Sequence, residues 1–287
     1  MKIALQCIPC LLNQSLKAIA HSDKELTKIK KKALLNEIMD ILKEDELLDL
    51  LPAKTGQRVY MKISKFLGIT DVFRQSKLIA NENGERLYPA LKKMVASSDD
   101  PLKTAANIAI IGNLIDHGAD LQYDLDKEMD QLHLEIDHFE QLKEELGKAK
   151  VVLFLGDNTG EIYFDKVFIE EIKKHFDVKI YFGVRSGPII NDATMEDALK
   201  AGVDKIASVV EGTQSPGIIL TEANDEFMEA YNTADVIISK GQGNFESLSE
   251  ESKDTNIFFL LKAKCSLMED VFSVPLGASI LAKWSLL

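Results

Sequence analysis

The sequence predicts an α/β protein in which a mainly parallel sheet is flanked by helices and preceded by an all-helical domain. Up to about residue 149, apolar and charged residues recur at intervals of three and four, as they do over residues 26–42. This spacing is typical of amphipathic helices. From residue 150 onward, short runs rich in Val, Ile and Phe alternate with helical stretches. Such alternation is typical of βαβ units.

The boundary between the two parts is predicted near Gly147, where a long acidic helix ends. We therefore assign residues 1–149 to a helical domain and residues 150–287 to an α/β domain. Within the helical part, Asp100 precedes Pro101, a pattern that predicts the start of a helix. The strands of the α/β part are predicted at 150–155, 178–184, 206–210, 235–239 and 256–261.

Composition and charge limit the possible partners. With 287 residues, 46% of them hydrophobic, the chain has enough apolar side chains for a sizeable core. A net charge of −12 argues against nucleic acid or an anionic membrane, because both require extended basic surfaces. No apolar run approaches the ~18 to 20 residues of a membrane span, and the first residues are too polar for a signal peptide. We expect a cytoplasmic protein that binds a small molecule.

Three cysteines occur, Cys7, Cys10 and Cys265, and an odd number does not describe a secreted disulfide framework. The Cys7-Ile-Pro-Cys10 spacing is that of a redox or metal pair. A structural zinc site generally needs four ligands, so Cys265 or a histidine would have to complete it. The alternative interpretation is that two small thiols are simply buried at the start of a helix.

Polar side chains follow three of the predicted strands. Asp157 and Asn158 end the first strand, Arg185 and then Asn191-Asp192 follow the second, and Lys240 ends the fourth. The carboxyl ends of parallel strands form the crevice in which open α/β sheets bind ligands, so these side chains are expected to converge. Carboxylate and amide oxygens suit magnesium or manganese, and the two cations suit an anion.

Helices predicted to begin at Gly160 and near Asn244 would present N–H groups and the positive ends of their dipoles, which favour phosphate. The candidate substrate-binding residues of these corners are Thr159, Gly160, Glu161, Arg185, Ser186, Gly241 and Asn244. Each motif also has a structural interpretation. Asp157 or Asp192 could cap a helix, Asn158 could be a turn residue, and Gly241 and Gly243 could merely shape a turn.

The apolar stretch over residues 101–118 contains Asn113 and Asp116. These residues are three apart and therefore share one face of a helix. We predict that they line the ligand pocket from the helical side. Alternatively, they face water near the end of a core helix or cap the following turn.

Several of these segments match, in order, the metal-dependent damage-control phosphatases, a family formerly classed as a domain of unknown function. The chain resembles the archaeal and bacterial branch with an N-terminal CxxC. The matching segments are Cys7-Ile-Pro-Cys10, the helix over 100–118, Gly156-Asp-Asn-Thr-Gly-Glu161 with Phe164-Asp165, Val184-Arg-Ser-Gly-Pro-Ile-Ile-Asn-Asp-Ala-Thr194 and Lys240-Gly-Gln-Gly-Asn-Phe-Glu-Ser-Leu248.

The resemblance implies a Rossmann-like α/β domain that binds metal and phosphate. It also implies that Asp157, Asn158 and Asp192 hold the metal and that Lys240 contacts the substrate phosphate. The activity it implies is hydrolysis of phosphate esters of small phosphorylated metabolites such as sugar phosphates. Magnesium, manganese, cobalt or nickel would support that activity.

As a mechanism we hypothesise that Asp157, Asp192 and Lys240 are catalytic. The metal would polarise a phosphoryl oxygen while Lys240 and backbone N–H groups stabilise the developing charge. Asp157 could act as a ligand, a nucleophile or a base. Arg185 could either fork onto the phosphate or pair with a structural carboxylate, and Glu161 could support the ligands from behind.

Three other functions compete with this one. An S-adenosylmethionine-dependent methyltransferase is disfavoured because its Gly-x-Gly cofactor loop is missing, and a dinucleotide enzyme because Gly241-Gln-Gly243 lacks the third glycine. A module that binds a phosphorylated metabolite with a metal, without hydrolysing it, is the remaining alternative class. The sequence does not predict the oligomeric state.

Overall fold

A computed structural model describes residues 1–22, 25–112, 125–250 and 255–287. The helices are α1 (Cys7–His21), α2 (Lys28–Leu42), α3 (Pro52–Leu67), α4 (Arg74–Ala96), α5 (Pro101–Gly112), α6 (Leu125–Gln131), α7 (Phe139–Lys148), α8 (Ile162–His175), α9 (Met195–Ala201), α10 (Asp225–Thr233), α11 (Gln242–Leu248) and α12 (Ser266–Phe272). The strands are β1 (Leu134–Asp137), β2 (Val151–Leu155), β3 (Lys179–Val184), β4 (Ser208–Glu211), β5 (Val236–Lys240), β6 (Ile257–Lys262) and β7 (Ser279–Lys283).

The strands form one sheet in the order β1-β7-β6-β5-β2-β3-β4. The five strands from β2 to β6 are parallel to their neighbours among themselves, whereas β7 is antiparallel to β6 and β1 is parallel to β7. The predicted α/β class with a mainly parallel, Rossmann-like sheet is confirmed. All five predicted strands are present, each within two residues of its expected bounds.

The prediction that the chain is entirely helical up to residue 149 is wrong at β1. This strand is only four residues long, and its side chains alternate between half-buried and exposed, so it lacks the apolar run that marked the other strands. Strand β7 was also missed. Both strands lie on the same flank of the sheet, where β7 joins β1 to β6.

Alternate side chains of β2 enter two different cores, as the period of a strand requires. Val152 and Phe154 pack with α4, α5 and α8 on one face, whereas Leu153 and Leu155 pack with α10, α11 and α12 on the other. Burial of both faces explains why this strand reads as a continuous apolar run. A third cluster unites α1, α2 and α3 and includes Ile189 from the loop after β3.

The division of the chain into two domains at residue 149 stays a prediction. Helices α4 and α5 precede that boundary and pack directly on α8. Asn81 of α4 donates to Asp197 of α9 at 2.8 Å and accepts from the backbone N–H of Gly160 at 3.0 Å. The helical part therefore contacts the loop that carries the predicted site. Within the described ranges, no helix is long and apolar enough to cross a membrane.

Candidate active site at the strand ends

The predicted site residues lie where the strand order reverses. Strand β2 has β3 on one side and β5 on the other, and ligands of open α/β sheets bind outside the carboxyl ends of strands at such a switch point. The loops after β2 and β3 are joined by a bridge between Asn158 and Asp192. In addition, the N–H of Ala193 donates to the carbonyl of Asp157 at 2.8 Å. The predicted convergence of Asp157, Asn158 and Asp192 is present in the structure.

Arg185 holds the two aspartates together. Its Nε donates to Oδ2 of Asp192 at 2.6 Å, Nη2 reaches Oδ1 of Asp157 at 3.4 Å, and Nη1 donates to Oδ1 of Asn244 at 2.8 Å. The arginine is fully buried. Of its two predicted roles, the structure shows pairing with carboxylates, and those carboxylates are the predicted metal ligands themselves.

Lys240, which was predicted to contact the substrate phosphate, lies inside the protein. Its side chain is fully buried and forms ion pairs with Glu161 and with Asp165, the latter at 2.6 Å. Burial would lower the pKa of Lys240, but Asp165 and Glu161 outweigh burial and raise it above its ordinary value. The ammonium group is therefore occupied by these two carboxylates inside the protein.

The pair below Lys240 is incompletely satisfied. Burial raises the pKa of Asp165 to about 7 even though Lys240 acts against this shift. Among the described residues, Oδ2 of Asp165 has no hydrogen-bond partner. Glu161 also accepts from Nδ2 of Asn158 at 3.2 Å, which connects this inner pair to the predicted ligand set.

Asn244 is a hub of internal hydrogen bonds. Its Oδ1 accepts from Arg185 and from the N–H of Ile218 at 3.1 Å, while its Nδ2 donates to the carbonyls of Gly156 and Lys240. Both ends of the amide are thus engaged within the protein. Asn244 orients Arg185 and fixes the corner after β5.

Two glycines of the predicted set are required by their backbone positions. Gly160 has a φ of 73° and Gly241 a φ of 79°, a region that favours glycine. A Cβ on Gly241 would collide with the carboxylate of Asp157, and one on Gly160 would lie 2.5 Å from the carbonyl oxygen of Ala80. Each glycine therefore permits a close approach as well as a turn.

The remaining predicted residues occupy different positions. The hydroxyl of Thr159 donates to the carbonyl of Asn191 at 3.1 Å, and its side chain is nearly buried. Ser186 is exposed in the loop after β3. Asn113 and Asp116 lie outside the described residues, since α5 is described as far as Gly112.

The capping interpretation does not account for the aspartates. Helix α9 begins with a capping box in which Thr194 and Asp197 satisfy each other's backbone N–H groups, so Asp192 is not its cap. The N-cap of α8 is Glu161, not Asp157. Both aspartates are thus buried without a helix-capping role.

The charges at this corner do not balance. Four buried carboxylates belong to Asp157, Glu161, Asp165 and Asp192, and two buried cations, Arg185 and Lys240, form ion pairs with them. A third buried cation, Lys77, acts on Asp192 but is paired with the buried carboxylate of Asp197. Burial, reinforced by Asp192 and Glu161, raises the pKa of Asp157 well above its usual range, and burial also raises that of Asp192 despite Arg185. When all four carboxylates are ionised, they exceed their paired cations by two negative charges, and such an excess on hard oxygen donors fits a divalent cation.

Exposure indicates which carboxylates a ligand could reach. The side chain of Asp157 is 11% exposed and that of Asp192 is 5% exposed, whereas Glu161 is 1% exposed and Asp165 is fully buried. In the described part of the chain, no three His, Cys, Asp or Glu side chains form a metal-binding group. The predicted set contains only two such residues, because its third member is the amide of Asn158.

Lys264 is a cation near this site that was missed from the sequence. It lies just after β6 and is exposed. Its positive charge acts on Asp157 and opposes the rise in the pKa of that carboxyl. Its backbone N–H donates to Oε1 of Gln242 at 3.3 Å, which fixes its loop against the start of α11. The rule that located the other residues, polar side chains after parallel strands, would also have found Lys264.

A cavity of about 160 Å³ lies beside the Asp192 loop. Its walls include Tyr60 and Phe73 from the helical part and Ile189, Ile190 and Gln214 from the sheet loops. Ile190 has a φ of 42°, which is strained for a β-branched residue and typical of functional loops. Burial and then Asp192 raise the pKa of Tyr60, which indicates that the cavity and the aspartates are close.

Fold and site together define a class: an α/β enzyme with a carboxylate cluster at the switch point of its sheet. The model of the damage-control phosphatase ARMT1-like domain matches residues 3–280. The chain belongs to this family.

Full-length relatives agree with that assignment. The damage-control phosphatase PH1575 of Pyrococcus horikoshii is 37% identical over 285 residues, covering 98% of this chain and 97% of the relative. A damage-control phosphatase of Archaeoglobus fulgidus is 36% identical over 288 residues, covering 96% and 97%. The crystal structure of PH1575, a DUF89 family protein, matches with a TM-score of 0.91 at 36% identity and 99% coverage of both chains. Membership selects the phosphatase among the functions that the sequence left open.

Proposed function

We propose that the protein is a metal-dependent phosphomonoester hydrolase that acts on a small phosphorylated metabolite, such as a sugar phosphate. The observation that supports this most directly is the pair Asp157 and Asp192, held by one buried arginine at the switch point with an excess of negative charge around it. A site that needed only to bind an anion would not gather carboxylates there.

In this proposal Asp157, Asn158 and Asp192 hold a divalent magnesium, manganese, cobalt or nickel ion. When bound, such an ion supplies a Lewis acid that neutralises phosphoryl oxygens. Arg185 sets the orientation of both aspartates, and Asn244 sets that of Arg185. Because their geometry is fixed before the substrate arrives, little reorganisation is needed during the reaction.

We assign contact with the phosphate to Lys264 instead of Lys240. Lys240 and Arg185 are both buried and paired with carboxylates, so each balances charge inside the protein. Lys264 is exposed and within electrostatic reach of Asp157, where it can meet an incoming phosphate. Lys240 then acts by holding Glu161, and through it Asn158.

The organic part of the substrate is proposed to extend toward the cavity between the helical part and the Asp192 loop. Asn113 and Asp116, which lie outside the described residues, keep their predicted role of lining the ligand pocket from the helical side. The proposed ligand is a small metabolite, as the sequence predicted from its net negative charge, and neither nucleic acid nor a membrane is proposed. We also propose a cytoplasmic location, for which the three free cysteines are the support.

The test removes metal with a chelator and follows inorganic phosphate from sugar phosphates and p-nitrophenyl phosphate, adding magnesium, manganese, cobalt and nickel singly. We expect release to return with at least one ion and to be lost in the Asp157→Asn variant. A folded protein that binds a phosphate ester but releases no phosphate with any ion would favour the binding module and contradict the proposal.

A further inference from the structure

The Cys7-Ile-Pro-Cys10 pair is the motif that the proposed phosphatase site leaves unused. Cys7 is the first residue of α1, and Cys10 follows it within the same helix. Residues three apart on a helix share a face, and helix geometry places their Cα atoms about 5 Å apart, inside the span that a disulfide bridges. Both thiols are free in the structure.

The two thiols have different surroundings. Cys10 is exposed, and its Sγ accepts a hydrogen bond from Nε2 of Gln14 at 3.2 Å. Cys7 is half-buried, and burial raises the pKa of its thiol. An accessible sulfur with a donor nearby is placed to attack a dissolved molecule, whereas a covered thiol is placed to react second.

The fold also brings a third thiol to the pair. Cys265 lies close enough to Cys7 for the two to interact electrostatically. Its Sγ accepts from Nε2 of Gln242 at 3.4 Å, and the residue is half-buried. Because Cys265 is more covered than Cys10, a dissolved reagent should meet Cys10 first.

We propose that Cys10 and Cys7 form a dithiol that exchanges with small disulfides of the glutathione type, with Cys10 attacking and Cys7 resolving. The Cys10 thiolate attacks one sulfur of the small disulfide, so that a mixed disulfide forms, the original S–S bond breaks and one small thiolate leaves. Cys7 then gives its proton to solvent and attacks Cys10 Sγ, which expels the second small thiolate. Two electrons pass from the protein dithiol to the small disulfide.

The exchange would reach the substrate cavity through two hydrogen bonds. The hydroxyl of Tyr60 donates to Oε1 of Gln14 at 2.6 Å, and Nε2 of the same Gln14 donates to Cys10. Tyr60 lines the cavity beside Ile190. In a Cys7–Cys10 disulfide the Cys10 sulfur would point toward Cys7, so Gln14 would lose this acceptor and its amide would be held less firmly against Tyr60. This consequence rests on the proposed function.

The test incubates the reduced protein with oxidised glutathione, blocks remaining thiols by alkylation and maps the products by mass spectrometry. We expect the wild type to lose two thiols and to yield a Cys7–Cys10 disulfide without an adduct. Cys7→Ser should retain glutathione on Cys10, because nothing resolves it. Cys265→Ser, the matched control, should behave as the wild type.

Cys10→Ser should show neither product, and since Cys10 is exposed, this variant keeps its fold even if Cys7→Ser does not. Reaction of Cys10→Ser at the wild-type rate, or a Cys7–Cys265 disulfide in the wild type, would overturn the assignment. These measurements need no phosphate release, so they stand apart from any failure of the phosphatase test.

Steady-state kinetics of the oxidised and reduced protein then test the link to the cavity. The loss of one positioned hydrogen bond predicts a KM higher by about three- to tenfold with kcat nearly unchanged, and the Cys265→Ser variant should show the same change. Equal KM values for fully oxidised and fully reduced protein would overturn the link.

Discussion

Two aspartates lie at opposite ends of β2 and are held in opposite ways. At the amino end, Asp235 is exposed and accepts the backbone N–H groups of Lys150 at 2.7 Å and Val151 at 2.9 Å, which lower the pKa of its carboxyl. At the carboxyl end, Asp157 is buried beside Asp192, and burial raises its pKa. A carboxyl satisfied by N–H donors serves the fold, whereas one crowded by like charges is available for chemistry.

The largest effect is expected at the carboxyl end of β2, where Asp157 is buried beside Asp192. Asp157→Asn keeps the shape of the side chain but removes its charge, so phosphate release should fall by about a hundredfold or more. The unfolding free energy should change little, because a buried carboxylate with a raised pKa stabilises the fold poorly. Initial rates and urea unfolding measure the two quantities. The control Asp40→Asn lies on an exposed surface, and a comparable loss of rate there would contradict the assignment.

Lys240→Met removes the cation of the buried ion pairs with Glu161 and Asp165. Neither of the two aspartates compared above takes part in these pairs. Glu161 and Asp165 would be left buried without their cation, and removing one partner of a buried pair costs about 3 to 5 kcal/mol. Urea unfolding checks this value. Lys54→Met removes a lysine whose pair with Glu222 is about one-third exposed, so its cost should stay within about 1 kcal/mol. Equal losses in the two variants would show that burial does not set the difference.

Lys264→Met removes the exposed cation that acts on Asp157. A hydrogen bond to a charged group contributes about 1.5 to 3 kcal/mol, so KM should rise by roughly ten- to a hundredfold. The unfolding free energy should stay within about 0.5 kcal/mol, as is usual for surface substitutions. Saturation kinetics with the active ester test this, with Lys200→Met as the exposed control. An unchanged KM would return the phosphate contact to another residue.

The smallest effect is expected at the amino end of β2, where backbone N–H groups satisfy the carboxylate of Asp235. Asp235→Asn should cost about 1 kcal/mol or less at pH 7, since solvent screens an exposed carboxylate. The folded pKa of Asp235 lies below its usual value of 3.8, so its contribution is complete above that pH and is lost as the pH falls through the folded pKa. Urea unfolding of both proteins between pH 7 and pH 3 should show the difference shrinking below about pH 4. A difference that grows on acidification would have the wrong sign.

Much of the fold could be predicted because β2, β3, β5 and β6 are largely buried runs rich in Val, Ile, Leu and Phe, with helices between them along the chain. Strand β1 could not, since four residues with half-exposed side chains carry too little apolar signal at the edge of a sheet. Its pairing depends on β7, which lies far along the chain. Sequence distance gives no indication of such a partner.

The sequence predicted where the site lies better than it predicted what each residue of the site does. The rule that parallel strand ends share one edge located Asp157, Asn158 and Asp192 correctly beside one another. It does not say how deep a side chain points. Lys240 and Lys264 both follow strands, yet one is buried between carboxylates and the other is exposed. Depth is decided by which helices cover each corner, and that is a property of tertiary packing.

The position of β7 between β1 and β6 has a consequence for synthesis on the ribosome. Strand β1 at 134–137 is translated about 140 residues before its sheet neighbour β7 at 279–283. Until β7 is translated, the backbone N–H and C=O groups of β1 have no strand to pair with. Strands β2 to β6 can assemble before β7 is translated. The edge of β6 that faces β7 stays unpaired until β7 joins the sheet. Nascent chains stalled before residue 279 should therefore expose an edge at β6, a ready target for a holding chaperone.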